Sequence, residues 1–266
     1  MNTRQNYSKE EQSALDKLDA LFSRWKKICV GLDGYFVGDG FYPNFLRQKP
    51  KILFIGRDAY DLYGEDDQQG ECTYIEKFIR QYISGTMDGG RNINAFKFHK
   101  MLIQMSYGII HRTEWRKVPC AAEICRDGKI FDRVSFAFMN MCKMSHESWS
   151  KVGTNASWGL INKFLDRSIT AERNYLCEEI ELLDPDMIIT LNLGPAYIDK
   201  IFRSGKTDAK CVDDKCCDCW TYAVRLSNHV IPAFDTWHFS SRNKREEDNV
   251  FNPVMNAWNN WMRTHA

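Results

Sequence analysis

Three short stretches place chemically capable side chains directly after apolar or β-rich runs. In Lys51-Ile-Leu-Phe-Ile-Gly-Arg-Asp-Ala-Tyr-Asp61 an apolar segment, Ile52 to Ile55, stops at Gly56 and delivers Arg57, Asp58, Tyr60 and Asp61. Val134-Ser-Phe-Ala-Phe-Met-Asn140 alternates in hydrophobicity, reads as a strand ending at Asn140, and is followed by Met141, Cys142 and Lys143. A third strand, His229 to Phe234, runs into Asp235-Thr-Trp-His-Phe-Ser-Ser-Arg-Asn243 and presents His238, Ser240 and Arg242. A carboxylate, an amide and an imidazole at buried strand ends are what a cleft needs to activate water, read a planar heterocycle and stabilise a departing anion. Each also has a plainer role: Asp58 suits a strand-to-helix turn, Asn140 a turn, and His238 beside Trp237 a hydrogen-bonded core.

The elements that must carry these groups alternate between helix and strand. Ser8-Lys-Glu-Glu11 is a capping box, and Leu15, Leu18, Leu21, Phe22, Trp25 and Ile28 recur behind it at helical spacing, predicting a helix over about 8–28. Residues 31–50, rich in Gly and aromatics, predict an ordered irregular segment. Glu65 to Glu71 is polar, helices are expected over Tyr74–Ile83 and Asn92–Ile109, and 111–133 shows no clear period. A helix over Thr170–Leu183 is stopped by Pro185, a strand follows over Asp186–Leu191, and Gly194-Pro195 opens a short helix through Ile201. Strands are expected over Thr221–Leu226 and His229–Phe234, and a last helix from about Val250 to Met262. Such alternation predicts a three-layer α/β/α fold with a mostly parallel central sheet. In such sheets ligands bind beyond the carboxyl ends of the strands.

Composition narrows the class. With 44% hydrophobic residues the 266-residue chain can build one sizeable core, and a single domain over 1–266 is expected. Lys plus Arg (36) nearly cancel Asp plus Glu (35), so nucleic-acid binding would rest on a local patch and not on a global field. No apolar run approaches the roughly 18 residues that span a bilayer, and the polar N-terminus is unlike a signal peptide. A soluble, cytoplasmic protein, monomeric and without a membrane partner, is the expectation. In that compartment its ten cysteines are expected to be reduced. Cys211, Cys216, Cys217 and Cys219 fall in an expected insertion over about 205–220, but they form only half of a zinc signature, so no metal is expected and a loop of free thiols is the reading.

The three stretches resemble the motifs of the uracil-DNA glycosylase superfamily. Gly56-Arg-Asp-Ala-Tyr-Asp61 is similar to its first motif, Gly-Gln-Asp-Pro-Tyr-His; Phe138-Met-Asn140 to the middle strand that ends in the uracil-reading Asn; and His238-Phe-Ser-Ser-Arg-Asn243 to His-Pro-Ser-Pro, closest to the single-strand-selective monofunctional form. Glu181-Leu-Leu-Asp-Pro-Asp-Met-Ile-Ile-Thr-Leu191 resembles the family's helix, Pro, strand unit, and the likeness spans roughly 50–262 in order. The resemblance implies excision of uracil or a related damaged base from DNA, with no cofactor and the target nucleotide flipped out. Asp58 would orient or deprotonate water and stabilise the positive sugar, and His238 would donate to O2 of the leaving base. Asn140 would accept from N3–H and donate to O4, which distinguishes uracil from cytosine. Tyr60 would exclude the thymine methyl, Tyr74 would stack on the base, and Gly56, Arg57, Lys143, Ser240 and Arg242 would complete the substrate contacts. The chain departs from the pattern at Ala59, Phe239 and Ser241, where prolines are lost, at Asp61 in place of His, and in lacking the upstream paired cysteines of the iron–sulfur branches. These departures keep open a glycosylase-like module that binds nucleotide, nucleic acid or protein without cleavage, and a hydrolase of free nucleosides or nucleotides.

Overall fold

The computed structural model describes residues 3–60, 73–146, 158–202, 209–213, 218–227 and 229–265. Helix α1 (Lys9–Ile28) begins where its cap dictates: Ser8 Oγ accepts from the Glu11 N–H (3.2 Å) and Glu11 Oε2 from the Ser8 N–H (2.9 Å). Its apolar face carries Leu18, Leu21, Phe22 and Trp25 into the core. The glycine-rich segment that follows holds two short strands, β1 (Tyr35–Phe36) and β2 (Gly40–Phe41). Strand β3 (Ile52–Tyr60) leads toward α2 (Tyr74–Ser84), which is capped by Thr73 and Glu76 and closed by Gly85 at φ 69°. A small hairpin, β4 (Thr86–Met87) and β5 (Arg91–Asn92), precedes α3 (Lys97–His111). The unassigned 111–133 stretch contains two single-turn helices, α4 (Ala121–Ile124) and α5 (Ile130–Arg133).

Strand β6 (Ala137–His146) is followed by α6 (Trp158–Ser168) and α7 (Tyr175–Leu183). The helix expected from Thr170 starts five residues later. Thr170 and Arg173 close a turn through Thr170 N–H to Arg173 O (2.8 Å), and Asn174 then caps α7 by accepting from the Cys177 N–H (3.1 Å). The rest comprises β7 (Met187–Leu191), α8 (Pro195–Phe202), β8 (Ala209–Asp213), β9 (Cys219–Arg225), β10 (Val230–Thr236) and α9 (Asn252–His265), the last entered through a π-helical turn at Glu246–Phe251. The cysteine-rich run is therefore not a simple loop. Cys211 lies in β8, and Cys219 opens β9 and is buried, while 214–217 fall outside the described residues.

The central sheet runs β6-β3-β7-β10 with all four strands parallel; β9 and β8 extend it antiparallel at one edge, and β1 and β2 pair antiparallel with β6 at the other. Helices cover both faces of this mostly parallel sheet, giving the expected three-layer α/β/α fold. On one face α1, α6 and α7 meet around Trp25, whose ring packs on Phe164 (5.5 Å) and Tyr175 (5.4 Å) and whose Nε1–H donates to Ser168 Oγ (2.7 Å). An indole buried so completely typically contributes on the order of 3–5 kcal/mol. On the other face lie α2 and α3, with Gly108 of α3 against Phe251. Among the four parallel strands the chain order is 2-1-3-4, so the winding reverses between β3 and β7, the kind of position at which open sheets bind ligands.

Two strands run further than their sequences suggest. β3 does not stop at Gly56 but pairs with β6 through Gly56↔Asn140 and Asp58↔Cys142, with a register shift before Tyr60, and β6 continues past Asn140 to His146. The period-2 alternation of a strand therefore decides which way each polar side chain faces. Phe138 and Asn140 share the α2/α3 face, whereas Lys143 turns to the α1/α7 face.

Candidate active site

Gly56, Arg57, Asp58, Tyr74, Asn140, His238 and Ser240 line one cavity of about 370 Å³, together with Phe78, Phe98, His99 and Phe138. The carboxylate of β3, the amide of β6 and the imidazole beyond β10 are thus brought together, as the sequence expects. The wall beside them is aromatic. Phe138 to Tyr74 (4.3 Å), Tyr74 to Phe78 (4.7 Å), Phe78 to His99 (4.5 Å), His99 to Phe98 (5.3 Å) and Phe98 back to Phe138 (5.9 Å) form a closed circuit of rings. Tyr74, expected to stack on a base, packs against both Phe138 and Phe78 and shares the wall with three rings, Phe78, Phe98 and His99, that the sequence does not single out. Helical aromatics at 78, 98 and 99 carry no local signal that separates core from cavity.

His238 is held in a defined tautomer. Its Nδ1 accepts the backbone N–H of Ser240 (3.2 Å), so the neutral ring carries its proton on Nε2. Burial, with the nearby Arg57 charge, lowers its pKa from 6.5 to about 4, and the ring lies near-parallel to Phe98 at 5.5 Å. The loop is fixed without prolines. Phe239 is fully buried against Phe54 (5.9 Å), Ser241 N–H donates to His238 O (2.8 Å), and Lys97 Nζ donates to the carbonyls of Ser241 (2.6 Å) and Lys244 (2.9 Å). Lys97, which no sequence motif marks, is the clamp between α3 and this loop. His99 is partly buried, its pKa lowered to about 3 by desolvation, with Nδ1 2.8 Å from Tyr82 Oη.

Asn140 is anchored from the sheet edge. Between β1 and β2 the edge of β6 is taken by Asp39, whose Oδ2 accepts the Asn140 backbone N–H (2.7 Å) and whose Oδ1 accepts from Asn140 Nδ2 (3.4 Å). Lys143 binds the same Oδ2 and lies 2.6 Å from Glu179 on α7, all three side chains being fully buried. Burial raises both carboxyl groups. The Lys143 ammonium opposes this at both groups, and the Asn140 donors oppose it further at Asp39; Glu179 is pushed up to about 7. For Lys143 burial alone would lower the pKa, but the two carboxylates outweigh it and the value is raised.

This corrects the role expected for Lys143. A loop after Asn140 would have offered it to substrate, but the continuing strand turns it to the opposite face, where it binds Asp39 and Glu179. Arg242 is exposed and does not line the cavity. Backbone pairing places Tyr60 opposite His146, while the Tyr60 side chain, Asp61 and the polar 65–71 segment lie outside the described residues. Arg57 lines the cavity and also reaches Trp158 (5.6 Å), which stacks on Tyr197 (5.1 Å). The turn after β7 offers no open anion site, because Asp235 accepts the N–H groups of Leu193 (3.0 Å) and Gly194 (2.9 Å). Among the described residues no cluster of three or more metal-ligating side chains occurs, and no helix is long and apolar enough to cross a membrane. No protein-family model matches the chain, and no curated protein matches it.

Proposed function

We propose that this chain is a monofunctional DNA glycosylase that hydrolyses the N-glycosidic bond of uracil or a related damaged base. The observation that supports this most directly is the grouping of Asp58, Asn140 and His238 on one aromatic-walled cavity large enough for a flipped pyrimidine. In the proposed reaction the bond between C1′ and the base nitrogen breaks and its electron pair leaves with the base. Asp58 stabilises the positive sugar and takes a proton from the water that attacks C1′. His238 stays neutral and donates its Nε2–H to the oxygen on which charge develops, a donor aimed at the transition state and not at the ground state. Asn140 reads the pyrimidine edge, and the Arg57 guanidinium adds a positive field at the cavity. Trp158 and Tyr197 beside Arg57 provide ring faces for neighbouring unpaired bases.

The test is incubation with single- and double-stranded oligonucleotides containing one uracil, followed by alkaline cleavage at abasic sites. The near-balanced charge of the chain suits a hydrolase of free nucleosides as well, and salt separates the two. Excision from DNA should weaken steeply as salt rises, because phosphate binding releases counterions, whereas hydrolysis of a nucleoside should barely respond.

A further inference from the structure

Asn140 Nδ2 faces a group that, once ionised, can only accept. The Asp39 carboxylate cannot donate, so the amide must turn its NH2 toward Asp39 and its Oδ1 toward Gly56, where a methyl carbon added to the glycine would stand 2.9 Å from that oxygen. Asp39 is held in turn: Oδ2 already receives the Lys143 ammonium and the Asn140 backbone N–H, and Lys143 is braced by Glu179. We propose that Asp39 is the positioning residue that sets base specificity, fixing the Asn140 amide so that it accepts from the ring N–H and donates to the exocyclic oxygen of a uracil-like base. This inference rests on the pyrimidine-reading role given to Asn140 above.

The arrangement dictates what an isosteric change would do. In Asp39→Asn the new carbonyl oxygen must occupy the Oδ2 position, since two donors converge there. The NH2 of the substituted side chain then falls at the Oδ1 position and meets the NH2 of Asn140, donor against donor. The pair is satisfied only if the Asn140 amide rotates by half a turn. Its NH2 then faces the Gly56 side and its oxygen faces the donor introduced by the substitution, the pattern that complements cytosine, with N3 accepting and N4 donating. The substitution also leaves Lys143 and Glu179 as a one-to-one buried pair.

The experiment compares the full-length wild type with Asp39→Asn on otherwise identical oligonucleotides carrying one uracil or one cytosine, alongside nuclear Overhauser contacts of the Asn140 side-chain amide. The expected result is a uracil-to-cytosine excision ratio about 10- to 100-fold lower in the variant, with a new contact between the Asn140 NH2 and the Gly56 α-protons. An unchanged ratio with unchanged contacts would overturn the proposal while leaving uracil excision by the wild type intact. The wild type alone gives a second check should the variant not fold: its Asn140 NH2 must lack the Gly56 contact, and finding it there would overturn the proposal. A wild type inert on uracil DNA would instead remove the function on which the proposal rests, and the amide contacts would still show whether Asp39 orients Asn140.

Discussion

Gly56 and Asn140 stand opposite one another in adjacent parallel strands, and a methyl group on the glycine would lie 2.9 Å from the amide oxygen and 3.0 Å from the Phe138 ring. The glycine is therefore required by a side chain on the neighbouring strand. Gly56→Ala should push the amide from its place, lowering uracil excision at least about tenfold. It should destabilise the fold by about 1–3 kcal/mol, the usual range for overpacking. Chemical denaturation and single-turnover kinetics measure the two effects separately.

The tautomer of His238 is open to direct observation. With Nδ1 accepting from Ser240 and burial lowering the pKa from 6.5 to about 4, the ring should stay neutral and carry its proton on Nε2 at pH 5 and above. Nitrogen chemical shifts through a pH titration report both properties. The linkage has a defined sign: as pH falls from 6.5 toward 4, the unfolded chain takes up a proton that the folded ring refuses, so stability should fall over that window. His99, lowered to about 3, extends the loss to more acidic pH.

Lys97 replaces with hydrogen bonds what proline would supply by restricting φ. Lys97→Met keeps the aliphatic stem but removes the donor to Ser241 and Lys244. We expect kcat to fall about tenfold with little change in KM, because the loop loses its placement of His238 and not its contact with substrate. Steady-state kinetics on a uracil oligonucleotide checks this split.

Much of the frame is readable in the chain because its signals are local. The Ser8 and Glu11 cap, the apolar runs at 52–55 and 187–191, and the Gly194-Pro195 helix start each announce themselves within a few residues. The continuation of β3 and β6 is not readable, since Asp58, Asn140 and Lys143 look like loop residues until cross-strand pairing is known. Asp39 is equally hidden: its partners Asn140 and Lys143 lie 101 and 104 residues away. Lys97 reaches its carbonyls across 144 and 147 residues, a separation that leaves no trace in local pattern.

The buried ion cluster should make stability depend on pH in the opposite sense to the histidines. Glu179 is raised from 4.5 to about 7, so between those values the folded state keeps a proton that the unfolded chain has released. Stability from this group is full below about pH 4.5 and is lost as pH rises through 7. Glu179→Gln keeps the volume and removes the titration. Measured by denaturant unfolding, its stability relative to wild type should rise by on the order of 1–3 kcal/mol between pH 5 and pH 8.

The most direct test of the account compares uracil excision by the wild type with that by Asp58→Asn and His238→Ala, reading strand breaks after alkali. The wild type should release the base. Asp58→Asn should be slower by about 10²- to 10⁴-fold, and His238→Ala by about 10²- to 10³-fold. Excision that survives both substitutions at the wild-type rate would contradict the assigned chemistry, and a wild type that leaves every uracil in place would contradict the function itself.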